Sequence, residues 1–365
     1  MFFAGILVLW SLAHAYVAWH LSGAWPLQGR VRRRRVALAA LGLWALLPLA
    51  RLASWAGLIE WFGMHWLGVM ILLTLCLLLH DALAVLALPV LRRRLLGLLP
   101  RTRAVALAAG LLLSGLALAQ GLRAPVVSEH EVRLAGLPPE ADGLRLVALS
   151  DLHLGGLLGR EWLQARLAQV RALEPDVVVL LGDLVEGHSE APDELLQDLR
   201  GLAPALGVWA VLGNHDNHGD PEQVVRALER AGVRVLRDGW RELRPGLLLA
   251  GLEDSGHMGR GLAPGRLGVA LAGRPAGAAT ILLSHRPQGE EEAAAAGVGL
   301  MLAGHTHGGQ IWPLGYLTRL GFPRLAGRFE LGGMTLLVSR GTGTWGPRMR
   351  LWPPGEILRV VLRPA

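Results

Sequence analysis

The stretch Val211-Leu-Gly-Asn-His-Asp-Asn-His-Gly219 decides how the second half of this chain is read. Asn214 and Asn217 are the only two asparagines among 365 residues, in a sequence otherwise driven to Ala, Leu, Gly and Arg. An amide kept beside His215 and Asp216 suggests chemistry that no simpler residue performs. The apolar run from Val208 to Leu212 reads as a buried strand, so Asn214 and His215 sit at its carboxyl end. Open α/β sheets keep their active sites at that end.

Working outward, the same arrangement recurs: an apolar run followed at once by a short polar cluster. Leu149-Ser150 precedes Asp151 and His153, Leu181-Gly182 precedes Asp183, Leu283-Ser284 precedes His285, and Ala303-Gly304 precedes His305 and His307. A glycine or serine before each ligand lets the backbone turn at little steric cost. Helical patterns at 162–173, 193–202 and 222–231 have the length that βαβ crossovers require. The later apolar runs follow one another with few helices between them. The expected fold is therefore α/β, a two-sheet sandwich flanked by helices over 144–365, with a mostly parallel first half and a more antiparallel second half. Residues 125–143 read as a linker with an edge strand.

Imidazole and carboxylate donors without any thiolate suit two divalent transition ions, Mn, Fe or Zn. A carboxylate such as Asp183 can bridge two ions about 3.5–4 Å apart, a spacing that clamps the attacking and leaving oxygens of phosphoryl transfer. One such cluster is common by chance; five in order at strand ends are not.

Asp151-Leu-His153, Gly182-Asp183, Gly213-Asn-His-Asp216, Ser284-His285 and Gly304-His-Thr-His307 resemble the signature of calcineurin-like metallophosphoesterases over about 144–363. The extension from Gly304 to Trp312 and the later Arg340-Gly-Thr-Gly-Thr-Trp-Gly346 are similar to a bacterial membrane-anchored branch, which includes UDP-2,3-diacylglucosamine pyrophosphatases. The resemblance implies that Asp151, His153 and His307 hold one metal, that Asp183 bridges, and that Asn214, His285 and His305 complete the second site. It further implies attack on phosphorus by a hydroxide between the ions, His215 protonating the leaving oxygen, and Asp216 orienting His215. His218, Arg286, Arg348 and Arg350 are weaker candidates for substrate contact, as are the loop histidines His188 and His257.

The first 124 residues read as an all-α membrane anchor. Apolar segments at 2–21, 36–59, 62–91 and 104–122 each reach the roughly 20 residues that cross hydrocarbon. Trp10, Trp25, Trp55, Trp61 and Trp66 fall near their ends, as interfacial anchors do. His14, His20 and His65 read as interfacial side chains. Arg51, His80 and Asp81 lie within the spans; the simple reading is that Arg51 snorkels and a neighbouring helix satisfies Asp81, the functional one an intramembrane relay.

Residues 1–124 carry 12 Arg against Glu60 and Asp81, whereas the remaining 24 Arg face 27 acids, so the formal charge of +7 belongs to the membrane half. That excess argues against a nucleic-acid surface on the catalytic half. Arginines fill the first and third connections, so the positive-inside rule places both termini and the catalytic domain outside, on the periplasmic or extracellular face of a bacterial inner membrane. The expected activity is that of a membrane-anchored, metal-dependent phosphoric ester hydrolase acting on a phosphodiester or pyrophosphate of a lipid-linked substrate. The alternatives are a UDP-2,3-diacylglucosamine-type pyrophosphatase and a non-catalytic metal-binding sensor module. Nothing in the sequence speaks to oligomeric state.

Overall fold

The computed structural model describes residues 2–27, 30–52, 57–155, 157–186, 192–254, 263 and 265–365. The chain forms two compact units, Met1–Leu122 with Gly346–Leu351, and Arg123–Trp345 with Trp352–Ala365. His188 and His257 lie outside the described residues, as does the side chain of Arg51.

The first unit contains α1 (Phe2–Gly23), α2 (Arg30–Leu52) and α3 (Gly57–Gly121). Leu73 packs against Gly110, and His80 Nε2 lies 3.0 Å from Thr102 Oγ1. A straight helix would hold residues 73 and 110 about 55 Å apart at 1.5 Å per residue. The two arms of α3, Gly57–Pro89 and Gly97–Gly121, therefore fold back on each other; both are long and apolar enough to cross a membrane, with mean hydropathies of 2.4 and 1.8. Helix α2 takes in Arg30 to Arg35, ahead of the expected start at Val36, because arginine is a good helix former and does not delay the start.

The histidines expected at interfaces are instead buried. His14 accepts from Trp66 Nε1 at 2.9 Å, and His20 and His65 are also enclosed. Trp10 likewise lies in the helical core with Val17, Met70, Leu73 and Leu77. Segment 346–351 belongs to this unit as well: the Arg350 amide donates to the Ala117 carbonyl at 2.9 Å.

The second unit stacks two six-stranded sheets. The first contains β1 (Val126–Leu134), β2 (Arg145–Leu149), β3 (Val177–Leu181), β4 (Val208–Val211), β5 (Val233–Val235) and β12 (Glu356–Pro364), in the order β1-β12-β2-β3-β4-β5. The second contains β6 (Gly239–Arg244), β7 (Leu247–Gly251), β8 (Ala279–Leu283), β9 (Leu300–Ala303), β10 (Gly327–Leu331) and β11 (Met334–Val338), in the order β10-β11-β9-β8-β7-β6. Between the sheets lies a continuous apolar layer that includes Val179, Leu181, Val211, Leu249, Ile281, Leu283 and Leu302. On the outer face of the first sheet pack α4 (Arg160–Ala172), α5 (Pro192–Leu196) and α6 (Pro221–Arg230); on that of the second pack α7 (Arg266–Ala270) and α8 (Glu290–Ala295).

The expected contrast between a mostly parallel first half and a more antiparallel second half is present but slight. The second sheet is not mainly antiparallel: β7, β8, β9 and β11 are parallel, and only the edge strands β6 and β10 run against their neighbours. Its crossovers are made by very short helices, which carry too few residues to show a helical period. The edge strands β6 and β10, half in solvent, lack the apolar runs that marked the others. Strand β1 is an edge strand at the residues expected, and it pairs in parallel along the whole of β12.

Candidate metal centre

Strands β2, β3 and β4 are neighbours in the first sheet, and β8 and β9 in the second, so five adjacent carboxyl ends deliver their loops to one edge of the sandwich. The hydrogen-bonded ladder stops there, leaving the backbone free to turn. Asp151, His153, Asp183, His305 and His307 all take positive φ, between 45° and 70°. Non-glycine residues rarely occupy this region, and clusters of such strain mark functional sites. Gly213 and Gly304 are glycines for lack of space: a Cβ would strike the Asp183 carboxylate at the first, and Ser150 Oγ and Asp151 Oδ2 at the second. The need at these two positions is thus close approach of backbone to ligand, rather than the turn freedom the sequence suggested.

The donors form two groups. Asp151, His153 and His307 bring ligand atoms within 4.8 Å of one another, and so do Asp183, His285 and His305. The groups meet at Asp183, whose Oδ2 is 3.2 Å from His285 Nε2 and 3.8 Å from His153 Nε2. Asn214 Oδ1 lies 3.2 Å from His285 Nε2, and His305 Nδ1 lies 3.1 Å from the same atom. All seven residues expected as ligands are gathered here, buried or nearly so.

The donor chemistry fits divalent ions. His285 Nδ1 is 2.8 Å from the Leu181 carbonyl, so it carries the hydrogen and turns Nε2 inward. His153 Nδ1 is held in the same way by Glu186 Oε1 at 2.8 Å. The inward Nε2 atoms of His153 and His307 then face each other at 3.1 Å, a contact that needs a shared proton or a cation.

Without metal, protons fill that role. Burial opposes charge on His285, but the Asp183 carboxylate and its hydrogen bond outweigh burial and raise its pKa to about 10. Burial also acts first on Asp183, yet His285 and His153 hold its carboxyl well below the usual range. His305 is driven down by burial and by the neighbouring His285 charge.

His215 lies beside this edge, and its partner is not the expected one. Asp216 is fully buried, and both its oxygens are taken by backbone amides, Oδ1 by Leu184 and Val185 at 2.9 and 3.0 Å and Oδ2 by Gly213 at 2.8 Å. It braces the loop and makes no contact with the His215 ring. Glu186 Oε2 instead stands 3.1 Å from His215 Nδ1, while its other oxygen holds His153. Burial would raise the Glu186 pKa, but the two imidazoles hold it far below the carboxylate range. Sequence reading missed Glu186, although the signal was present: an acid three residues beyond Asp183 in the same strand-end cluster.

The weaker candidates separate. The His218 ring lies 4.9 Å from that of His215, at the mouth of the site. Arg286 is buried and paired with Asp254 at 2.8 Å, so its charge is answered within the chain. Arg348 and Arg350 belong to the segment grouped with the helices. Two aromatic side chains lie beside the site, the exposed Trp345, whose ring is 6.0 Å from His215, and the half-buried Phe322, 4.9 Å from His305; the segment that follows the last ligand in sequence exposes Trp312, Tyr316, Leu317 and Leu320. Helix α9 (Gly315–Gly321), which carries three of them, buries none of its residues.

Residues 144–309 match the family model for calcineurin-like phosphoesterases. A metallophosphoesterase of Aquifex aeolicus is 36% identical over 229 residues, 62% of this chain and 87% of that protein. Proteins named transmembrane protein with metallophosphoesterase domain, from Danio rerio and Bos taurus, are 34% and 33% identical over 66% and 74% of this chain. The matched regions make up 58% and 66% of those two proteins' own length. On the fold, the ordered strand-end ligands and these matches, the chain belongs to the calcineurin-like phosphoesterase family.

Proposed function

We propose that this protein is a membrane-anchored, metal-dependent phosphoesterase that hydrolyses a phosphodiester or pyrophosphate bond in a lipid-linked substrate. The observation that carries the reading is the convergence of seven donor side chains from five strand ends around the Asp183 carboxylate, with His215 held beside them by Glu186.

Asp151, His153 and His307 would hold one ion, Asn214, His285 and His305 the other, and Asp183 both. When bound, such ions supply Lewis-acid charge at a phosphoryl group and lower the pKa of water there. The chain's own residues do the rest. Leu181 and Glu186 fix the ring orientations of His285 and His153, so the donors need not reorganise. Glu186 accepts from His215 Nδ1–H; in the imidazolium form Nε2 also carries a proton, which the leaving oxygen takes up, leaving a neutral ring with its hydrogen on Nδ1. Asp216 keeps the loop bearing Asn214 and His215 in register with β3.

Exposed apolar side chains support an amphiphilic substrate: Trp345 beside His215, and Trp312, Tyr316, Leu317 and Leu320 in the segment after the last ligand, suit a molecule with a charged head and an acyl tail. The two apolar arms of α3 and the relatives named as transmembrane proteins support membrane attachment; in this reading α1 and α2 add two further spans, to make four. The arginine distribution supports a catalytic unit on the periplasmic or extracellular side.

The test is hydrolysis by Mn-loaded protein in detergent, with a soluble monoester, a soluble diester and a lipid-linked pyrophosphate in parallel. Preference for the lipid substrate is expected. Equal turnover of soluble diesters would remove lipid linkage, and no turnover with two metals bound would remove the enzymatic reading.

A further inference from the structure

In the helical unit, α1 and both arms of α3 bring together polar side chains that the phosphoesterase centre does not use. Asp81 Oδ2 accepts a hydrogen bond from the Tyr16 hydroxyl at 2.8 Å and lies 3.0 Å from His20 Nε2. Asp81 Oδ1 lies 2.9 Å from His80 Nδ1, and His80 Nε2 lies 3.0 Å from Thr102 Oγ1. His20 is fully buried, and its Nδ1 has no hydrogen-bond partner among the described residues.

The polar contacts of this group reach across both arms of α3. With its hydrogen on Nδ1, a neutral His80 donates to Asp81 Oδ1 at 2.9 Å and accepts at Nε2 from the Thr102 hydroxyl, 3.0 Å away; the same hydroxyl also reaches the carbonyls of Leu98 and Leu99, at 3.3 and 3.2 Å. Arginine does not answer the carboxylate: among the described residues none lies within ion-pair distance of Asp81, and the nearby Arg103 guanidinium lies over the Trp19 ring, 4.9 Å from its centroid.

The groups that do face Asp81 are two imidazoles and a phenol, donors that suit borderline divalent ions. His20, His80 and Asp81 already place ligand atoms within 4.8 Å of one another. Thr102 fixes the far nitrogen of His80, as the outer partners of metal-bound imidazoles do. His80 and Asp81 sit in an apolar helix arm, where an ionisable residue is costly to keep without a task.

We propose that His20 Nε2, His80 Nδ1 and the Asp81 carboxylate, with Tyr16 Oη as fourth donor, bind a divalent transition ion of the Zn2+ type. The site is additional to the phosphoesterase centre and shares no residue with it. The ion takes the place of the proton between His80 and Asp81 and joins α1 to both arms of α3, in the four-coordinate form that zinc favours.

The test uses the full chain in detergent, stripped with chelator and reloaded with Zn2+, with bound metal counted by mass spectrometry. His20→Gln and His80→Gln are expected to lose one equivalent relative to wild type, and to lose it again when Asp183→Asn and His285→Ala have disabled the other centre. Thr102→Val is expected to weaken that equivalent by about 10–100-fold, the usual cost of losing an outer partner. Equal metal content and equal affinity in all these variants would overturn the site and leave a hydrogen-bonded cluster only. If the histidine variants fail to fold, judged by helical circular dichroism and elution volume, Thr102→Val and Tyr16→Phe decide, since each removes little more than a hydroxyl. Unchanged Zn2+ affinity in both overturns the proposal.

Discussion

Glu186 and Asp216 are both acids beside His215, but they do different work. Glu186 touches the rings of His153 and His215, whereas Asp216 touches only backbone amides. Glu186→Gln keeps the shape and removes the charge, and is expected to lower kcat by about 10–100-fold while the protein stays folded. Asp216→Ala leaves three buried amides without an acceptor and is expected to lower the unfolding temperature, with about 1–3 kcal/mol lost per orphaned donor as an upper guide. Activity and thermal unfolding measured on both variants separate the two roles; a catalytic defect in Asp216→Ala at full stability would return it to the chemistry. At Gly304, alanine would press on Ser150 and Asp151, so Gly304→Ala is expected to be destabilised by about 1–3 kcal/mol and to retain less metal. His215 was legible from its place after a buried strand, but its partner was not, because adjacency in sequence does not tell which carboxylate is already bound to backbone.

Among the elements, strands β2, β3, β4, β8 and β9 could be read from their apolar runs because both faces of each are buried. Edge strands β6 and β10 and helix α9 could not, since they bury little and so carry no pattern. Two measurements bear on these elements. Leu283, fully buried between the sheets, is expected to cost about 2–5 kcal/mol when changed to Ala, read as a lower denaturation midpoint. On α9, the exposed pair Leu317 and Leu320 contributes nothing to a core, so Leu317→Ser with Leu320→Ser is expected to leave stability and soluble-diester turnover unchanged while reducing turnover of a lipid-linked substrate. Equal loss on both substrates would remove α9 from substrate recognition.

For the molecule as a whole, the sign of the metal dependence follows from His285. Its pKa, raised to about 10 in the metal-free fold against an ordinary 6.5, gives stabilisation that is full below pH 6.5 and is lost as pH rises through 10. Chelated protein is therefore expected to lose thermal stability between those limits. Metal-loaded protein should gain on it over the same range, because ligation needs the neutral ring and releases its proton. Unfolding temperatures of both forms from pH 6 to pH 10 check this, and parallel curves would rule it out.

The residue order alone determined the apolar helices, the buried parallel strands and the seven clustered donors, because burial and chemistry at each of these positions allow few residue types. Tertiary structure decided what depends on space between distant segments. It showed which glycines stand where backbone meets ligand, that Asp216 braces a loop while Glu186 holds His215, and that Asp81 collects its partners from α1 and α3. Local pattern records whether a side chain is buried, but the partner that answers its charge is set only when separate strands and helices come together.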